Sequence, residues 1–347
     1  MQGGIEIAEL SPVVIPVFVP NLGCPHQCIF CDQSRFAQVM DPDDMAGYVR
    51  SFIAGCRNHQ ERYRVLAFYG GSFTGIEEDL FMRYLEEAKM LVKDGTVHGI
   101  KASTRPDMID DERIGKLKDA GFIELELGAQ SMDEIVLHYA GRGHAADDTR
   151  KASGMVRRSG MKLGIQIMPG LPGEDRQSYK NTVEEVLKCK PDGVRIYPTV
   201  VLAGTPLEKL YRAGVYEPLD LEEAVLRSLY GYIRFTENGS QVYRMGLPPL
   251  PGSDIVSGPY HRSFGHLVKA RSYRIMVEKL QERFGPDLEL TIHPDDVSDL
   301  LGFQRENIER LCFSYSFNGQ LPRGYVQYKG TAERGCAQPK DIIEYIL

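Results

Sequence analysis

Apolar residues recur along this chain in short β-branched runs, separated by longer stretches in which they return every three or four positions. The runs fall at 13–19, 65–69, 99–103, 123–127, 163–168 and 193–197. Helical periodicity covers 42–56, 77–92, 110–120, 147–159 and 175–189 between them. Several of these stretches open on acidic or hydroxyl residues, and two end near Gly121 and Gly160, as capping requires. Strand and helix alternating over six units predict an α/β fold with a parallel sheet and right-handed crossovers. The expected form is a partial (β/α)6 barrel with its chemistry on the loops at the C-terminal ends of the strands.

The pattern changes toward the end. Residues 288–292, 312–317 and 324–328 read as strands, 295–311 as helices and 339–347 as a closing helix. Two domains are therefore expected. A barrel domain spans 1–274, with an extension over about 200–274, and a small α/β domain follows at 275–347.

No apolar run approaches the length of a membrane span, and 13–20 is cut by Pro16 and Pro20. The start of the chain lacks a basic stretch followed by an apolar core and a small-residue cleavage site, so no secretory signal is expected. Cys56, Cys189, Cys312 and Cys336 are scattered without pairing motifs. That suits a reducing cytoplasm better than a disulfide framework. Net charge is −7, so the surface as a whole does not suit a polyanion. One local exception is 260–274, where His261, Arg262, His266, Lys269, Arg271 and Arg274 alternate with aromatic and apolar residues. It reads equally as an RNA-phosphate patch and as the solvated face of an amphipathic helix.

The densest chemistry follows the first strand, in the run Asn21-Leu-Gly-Cys-Pro-His-Gln-Cys-Ile-Phe-Cys-Asp32. Cys24, Cys28 and Cys31 put three soft thiolate ligands in one loop. No fourth cysteine follows at close range. Three legs on a four-iron cluster leave one iron open to chelate a small molecule. A zinc knuckle completed by His26 or by a distant cysteine, or three free thiols, are the plainer readings, although zinc sites usually show paired spacings. After the second strand comes Phe68-Tyr-Gly-Gly-Ser-Phe-Thr-Gly75. Gly70 and Gly71 let the backbone approach a partner closely, and Ser72 and Thr74 add hydroxyls.

The C-x3-C-x2-C spacing with Phe30 before the last cysteine resembles the radical S-adenosylmethionine (radical SAM) superfamily. Five more segments follow in order: Ala102-Ser-Thr-Arg-Pro-Asp107, Glu124-Leu-Glu-Leu-Gly-Ala-Gln-Ser131, Gly141-Arg-Gly-His144, Gln166-Ile-Met-Pro-Gly-Leu-Pro172 and Arg195-Ile-Tyr-Pro-Thr-Val-Val-Leu-Ala-Gly-Thr205. Together, over roughly 15–274, they resemble the radical half of the elongator catalytic subunit family, which modifies the tRNA wobble uridine. Oxygen-independent coproporphyrinogen oxidases share a thinner version. No acetyl-CoA pyrophosphate loop of the kind found in the elongator acetyltransferase domain is visible in 275–347, so the acetyl-dependent reaction is not expected of these residues alone.

The resemblance implies a 4Fe-4S cluster on Cys24, Cys28 and Cys31, with S-adenosylmethionine beside it. It implies that the backbone at Gly70, Gly71 and Ser72 meets the methionine amino group, and that Gln130 and Arg142 contact the same cofactor. Arg142 would pair the carboxylate, for which a guanidinium fork is suited. Ser103 and Gln166 lie where relatives place polar groups on the ribose, and Phe30 near the adenine. Glu126 and Arg105 fall in the same set, Glu126 reading equally as an inward strand residue paired with Arg105 or Arg195. Arg195 and Tyr197 would face substrate, or Tyr197 would cap the barrel core.

The implied reaction needs an external low-potential electron donor, since clusters reach roughly −700 mV at the low end. S-adenosylmethionine is then cleaved to methionine and a 5′-deoxyadenosyl radical, which removes hydrogen from substrate. An RNA base is the first expectation. A small metabolite, a tetrapyrrole or a peptide side chain is the alternative, and a non-catalytic cluster-carrying regulator a third.

Overall fold

The computed structural model describes residues 12–32, 38–330 and 333–347. All six expected strands are present: β1 (Val13–Phe18), β2 (Arg64–Tyr69), β3 (Gly99–Thr104), β4 (Phe122–Gln130), β5 (Lys162–Ile167) and β6 (Gly193–Ile196). Short β7 (Val201–Leu202) precedes a seventh strand of the main sheet, β8 (Gln241–Met245), and β9 (Ile255–Ser257) pairs antiparallel with β7. The main sheet has the order β1-β2-β3-β4-β5-β6-β8, which makes the chain an α/β protein of the partial-barrel kind. The registers of β1 with β2, β2 with β3 and β3 with β4 are parallel, so their C-terminal ends share one edge.

The helices between the strands are α1 (Pro42–Ala54), α2 (Glu78–Lys93), α3 (Asp111–Asp119), α4 (Glu134–Tyr139), α5 (Ala146–Ser159) and α6 (Arg176–Lys188). Their starts follow from capping chemistry. Asp41 accepts from Asp43 N with Pro42 in the first turn, and Asp110 and Asp133 cap α3 and α4 in the same way. Gly160, at φ 83°, ends α5 in the left-handed conformation that glycine adopts without penalty.

By compactness the chain divides into two units, one running to Gln166 and including Cys189–Gly193, the other comprising Ile167–Lys188 and Val194–Leu347. The first holds β1 to β4, most of β5 and the loops at their ends. In the second, α7 (Pro206–Arg212), α8 (Leu221–Glu237) and α9 (Phe264–Phe284) are followed by a four-stranded sheet. Its strands β10 (Glu289–Ile292), β11 (Ser314–Phe317), β12 (Val326–Lys329) and β13 (Arg334–Ala337) run in the order β11-β10-β12-β13. Helices α10 (Val297–Leu301) and α11 (Glu306–Leu311) lie in the stretch expected to be helical. Residue 274, the expected domain boundary, falls inside α9, where the backbone is continuous helix. The expected closing helix is a 3-10 helix, Pro339–Tyr345.

The floor of the first unit is aromatic. Phe68 on β2 stacks on Phe73 at 4.2 Å between ring centroids, and Phe122 and Tyr84 close around them. Phe73 belongs to the glycine-rich loop and is fully buried, so it pins that loop to the core. Among the described residues no helix is long and apolar enough to cross a membrane.

Candidate active site

The cysteine loop leaves β1 and interlocks with the glycine-rich loop that leaves β2. Asn21 N donates to Gly70 O and Ser72 N to Leu22 O, each at 2.8 Å. A Cβ on Gly71 would stand 2.4 Å from Val19 O and 2.6 Å from Leu22 O. On Gly23, at φ 68°, it would stand 2.1 Å from Ser72 O. Part of the reason for the glycines is therefore this backbone-to-backbone contact, which fixes the cysteine loop. Cys24 is exposed, Cys31 half-buried and Cys28 buried.

Ser72 does not present its hydroxyl to the open side. Its Oγ lies 2.9 Å from Thr104 Oγ1, which is also 2.6 Å from Thr74 Oγ1, and it accepts from Arg105 N at 3.2 Å. Thr104, at the end of β3, thus ties the glycine-rich loop to the loop after β3. The sequence reading did not single it out, because a threonine ending a strand is unremarkable until its partners 30 and 32 residues away are known.

Arg105 and Arg142 form the basic wall. Arg105 is clamped by Asp107 through Nε at 3.0 Å and Nη2 at 2.8 Å, and it also donates to Arg142 O. Arg142 donates from Nη1 to Cys28 Sγ at 3.0 Å and from Nη2 to Gly128 O at 2.5 Å. Arg142 thus reaches a cysteine of the loop, a contact the sequence did not lead one to expect. Burial pushes the Cys24 thiol up, Cys28 adds to this, and Arg105 and Arg142 pull it back down.

The loop 141–144 is moulded to the cysteine loop. Ile29 N donates to Ala140 O at 3.2 Å, and a Cβ on Gly143, at φ 68°, would sit 2.3 Å from the His26 ring. His144 follows, buried, with neither ring nitrogen hydrogen-bonded among the described residues. Burial first, and then the Arg142 charge, pushes its pKa down to about 4, so the ring is neutral. The sequence showed this histidine only as the end of a motif.

At the ends of β4 and β5, Gln166 Nε2 donates to Gln130 Oε1 at 3.1 Å. Gln130 is 5 % exposed and sits at φ 68°, a backbone region that favours glycine. Glu126 accepts from Ser103 Oγ at 3.3 Å, while Arg105, one of the two partners weighed for it, pairs with Asp107. Phe30 is half-buried beside Cys31 in sequence. In the second unit Arg195 Nη1 donates to Tyr197 Oη at 3.0 Å, so these two act as a pair. There too, buried Glu174 accepts from Gly170 N at 2.6 Å and Arg227 Nη1 at 2.8 Å, bracing the loop after β5. Burial nevertheless pushes the Glu174 carboxyl up to about 7.

Soft thiols in one loop, a guanidinium on one of them and a second guanidinium behind it make a donor set that fits an anionic iron-sulfur cluster. Among the described residues no three His, Cys, Asp or Glu side chains gather as ligands of a single ion. The three legs of a cluster each go to a different iron and need not converge.

An α/β partial barrel with a three-cysteine loop at the end of its first strand defines the class. The chain belongs to the radical SAM superfamily: residues 18–186 match that superfamily and 191–274 match the Radical_SAM C-terminal domain. It is 28 % identical over 299 residues to the tRNA uridine(34) acetyltransferase of Methanocaldococcus jannaschii, covering 74 % of this chain and 54 % of the relative. It is also 28 % identical over 228 residues to mouse Elongator complex protein 3, covering 58 % and 40 %. The chain spans about half the length of the first of these. The fold is shared with Methanocaldococcus infernus Elp3 lacking its N-terminus, at TM-score 0.59 and 24 % identity over 80 % of this chain and 64 % of that one. Membership implies a 4Fe-4S cluster and S-adenosylmethionine, and makes the protein a radical SAM enzyme.

Proposed function

We propose that the chain carries out radical chemistry on an RNA base, with tRNA as the substrate. The observation that carries this reading is the match to the tRNA uridine(34) acetyltransferase, which covers 74 % of this chain and so extends past the core match at 18–186 into the residues that match the C-terminal domain. When bound, the cluster and S-adenosylmethionine supply the reducing electron and the radical that removes a hydrogen atom from substrate, and an external low-potential donor supplies that electron.

This chain's own residues bind, orient and shield. Cys24, Cys28 and Cys31 would hold three irons, and Arg142 beside Cys28 would balance their charge while offering its fork to the cofactor carboxylate. Gly70, Gly71 and Ser72 would offer backbone groups to the methionine amino group, since the Ser72 hydroxyl is already bonded to Thr104. Gln130 would meet the cofactor from the end of β4, with Ser103, Gln166 and Glu126 near the ribose and Phe30 near the adenine. Arg105 would hold Arg142 in place. Arg195 and Tyr197 would face the substrate. The protein's part is orientation and exclusion of water, while the cofactor carries the bond breaking.

A specific observation favours a second reading, a small-molecule substrate. Within the basic stretch Arg271 is ion-paired with Glu222 and Arg274 with Glu278, so two of its cations are already neutralised. Anaerobic incubation with S-adenosylmethionine, reductant and tRNA separates the two. The RNA reading predicts 5′-deoxyadenosine formation accelerated by tRNA and a modified nucleoside missing from a deletion strain. Equal rates with and without tRNA, with unchanged nucleosides, would select the small-molecule reading, and no 5′-deoxyadenosine at all would leave the regulator.

A further inference from the structure

Away from the cysteine loop, β8 and the first turns of α9 enclose a cavity of about 410 Å³ lined by Arg244, Met245, Gly265, His266, Lys269 and Asp299, among others. Its polar groups are unevenly used. Arg244 is held by its own chain: Nε donates to Gly246 O and Nη2 to Leu247 O, each at 3.1 Å. That anchoring fixes the guanidinium plane and leaves Nη1 with no hydrogen bond among the described residues. Lys269 makes no hydrogen bond and no ion pair among the described residues, and it also lines an adjoining cavity of about 210 Å³. This contrasts with Arg271 and Arg274 on the same helix, both tied to carboxylates.

The remaining wall sets one carboxylate against these two cations. His266 Nε2 donates to Ser298 O at 3.0 Å and lies 3.7 Å from Asp299 Oδ1, so that nitrogen is already turned to the protein. Asp299 is the one carboxylate lining the larger cavity. It is 8 % exposed; burial raises its pKa, while the Lys269 and His266 charges beside it act in the opposite direction. Gly265 N, in the first turn of the 21-residue α9, donates no hydrogen bond among the described residues and adds an oriented donor at the same wall.

We propose that the cavity between β8 and α9 is a phosphate-binding site in which the Arg244 guanidinium and the Lys269 ammonium hold the anion. An anchored guanidinium with one free edge and a mobile ammonium suit a tetrahedral oxyanion: the first orients it and the second follows it as a point charge. The phosphate belongs either to a nucleic-acid backbone or to a phosphorylated small molecule. Assignment to the backbone rests on the RNA reading above, whereas the site itself does not.

The test compares anaerobically purified wild type with Arg244→Gln/Lys269→Met, Lys269→Met alone and Lys269→Arg. The single Lys269→Met change removes a half-buried side chain that makes no hydrogen bond or ion pair among the described residues, so it preserves the fold if the double variant does not. Inorganic phosphate, against chloride at matched ionic strength, should raise the melting temperature of wild type and Lys269→Arg but not of the Met variants. If the source is nucleic acid, tRNA affinity should fall at least tenfold in the double variant and the salt slope should drop by about 0.9, the value for one phosphate contact. If phosphate stabilisation is lost but tRNA binding is unchanged, the site stands, its source is a phosphorylated small molecule, and the RNA reading loses this support. No phosphate effect in wild type, or an equal effect in every variant, overturns the site.

Discussion

Arg142 lies 3.0 Å, Nη1 to Sγ, from Cys28, a residue 114 positions earlier in the chain. The contact joins the loop between α4 and α5 to the loop after β1, and with the bond to Gly128 O it makes one guanidinium the cross-brace of the site. Charge-assisted hydrogen bonds of this kind are roughly twice as strong as neutral ones.

Replacing Arg142 should therefore have two effects. Arg142→Ala removes the proposed carboxylate fork, and S-adenosylmethionine affinity should fall tenfold or more, as about 1.5–3 kcal/mol implies. It also strands Gly128 O and unbraces Cys28, so the fold should lose about 1–3 kcal/mol. Equilibrium binding and chemical denaturation on the same preparations check both. Unchanged affinity with lowered stability would make Arg142 a purely structural brace.

Gln130 permits a cleaner separation. Its left-handed backbone costs a residue with a Cβ about 1 kcal/mol, which Gln130→Gly relieves while removing the side chain. Stability should stay within about 1 kcal/mol of wild type while cofactor affinity drops. Gln130→Ala keeps the strain and should be the less stable of the two. Wild-type affinity in the glycine variant would rule out a cofactor contact by this side chain.

Two glycine-to-alanine changes should move stability in opposite directions. At Gly71 the new Cβ meets two backbone oxygens within 2.6 Å, and forcing the loops apart should cost about 1–3 kcal/mol and lower iron content. At Gly47, inside α1, nothing lies within 4 Å, so alanine should add about 0.5–1 kcal/mol through helix propensity. Melting temperatures of the two variants decide whether the interlocked loops carry the strain assigned to them.

His144 should leave a signature in the pH dependence of stability. Its folded pKa, about 4, lies below the ordinary 6.5, so between these values the unfolded chain binds more protons and stability rises with pH. The contribution is complete above about pH 6.5 and is lost as pH falls toward 4, on the order of 3 kcal/mol in all. Glu174, raised to about 7, has the opposite slope between the ordinary 4.5 and 7, because there the folded state binds more protons. It is present in both wild type and His144→Asn, so the difference between their denaturation curves isolates the histidine. Parallel curves from pH 4 to 7 would contradict a buried neutral ring.

The elements legible in the sequence were those whose burial repeats locally. The strands from β1 to β6 and the capped helices α1, α2 and α3 fall within a few residues of the expected positions, because alternation, helical spacing and capping act over a turn or two. Strand β8 shows no such signal: after exposed Gln241, all four of its residues are half-buried, without alternation. Strand β13 does alternate, exposed against half-buried, but it buries none of its residues and so carries no apolar signal. The cysteine loop was visible from spacing alone, and the glycines as places of close approach. What they approach was not, since Gly71 meets Val19 and Leu22 only after β1 and β2 have paired. Likewise the basic look of 260–274 was real, but the loss of Arg271 to Glu222, 49 residues away, depends on α8 and α9 packing together.

The most direct test of the account is electron paramagnetic resonance of the anaerobically reconstituted, reduced protein, read alongside iron and sulfide content. The account predicts one four-iron cluster per chain, a reduced-cluster signal that changes shape on adding S-adenosylmethionine, and loss of both on changing Cys24, Cys28 and Cys31 together to Ala. Stoichiometric zinc in place of iron, or a cluster that persists in the triple variant on Cys56, Cys189, Cys312 or Cys336, would contradict it.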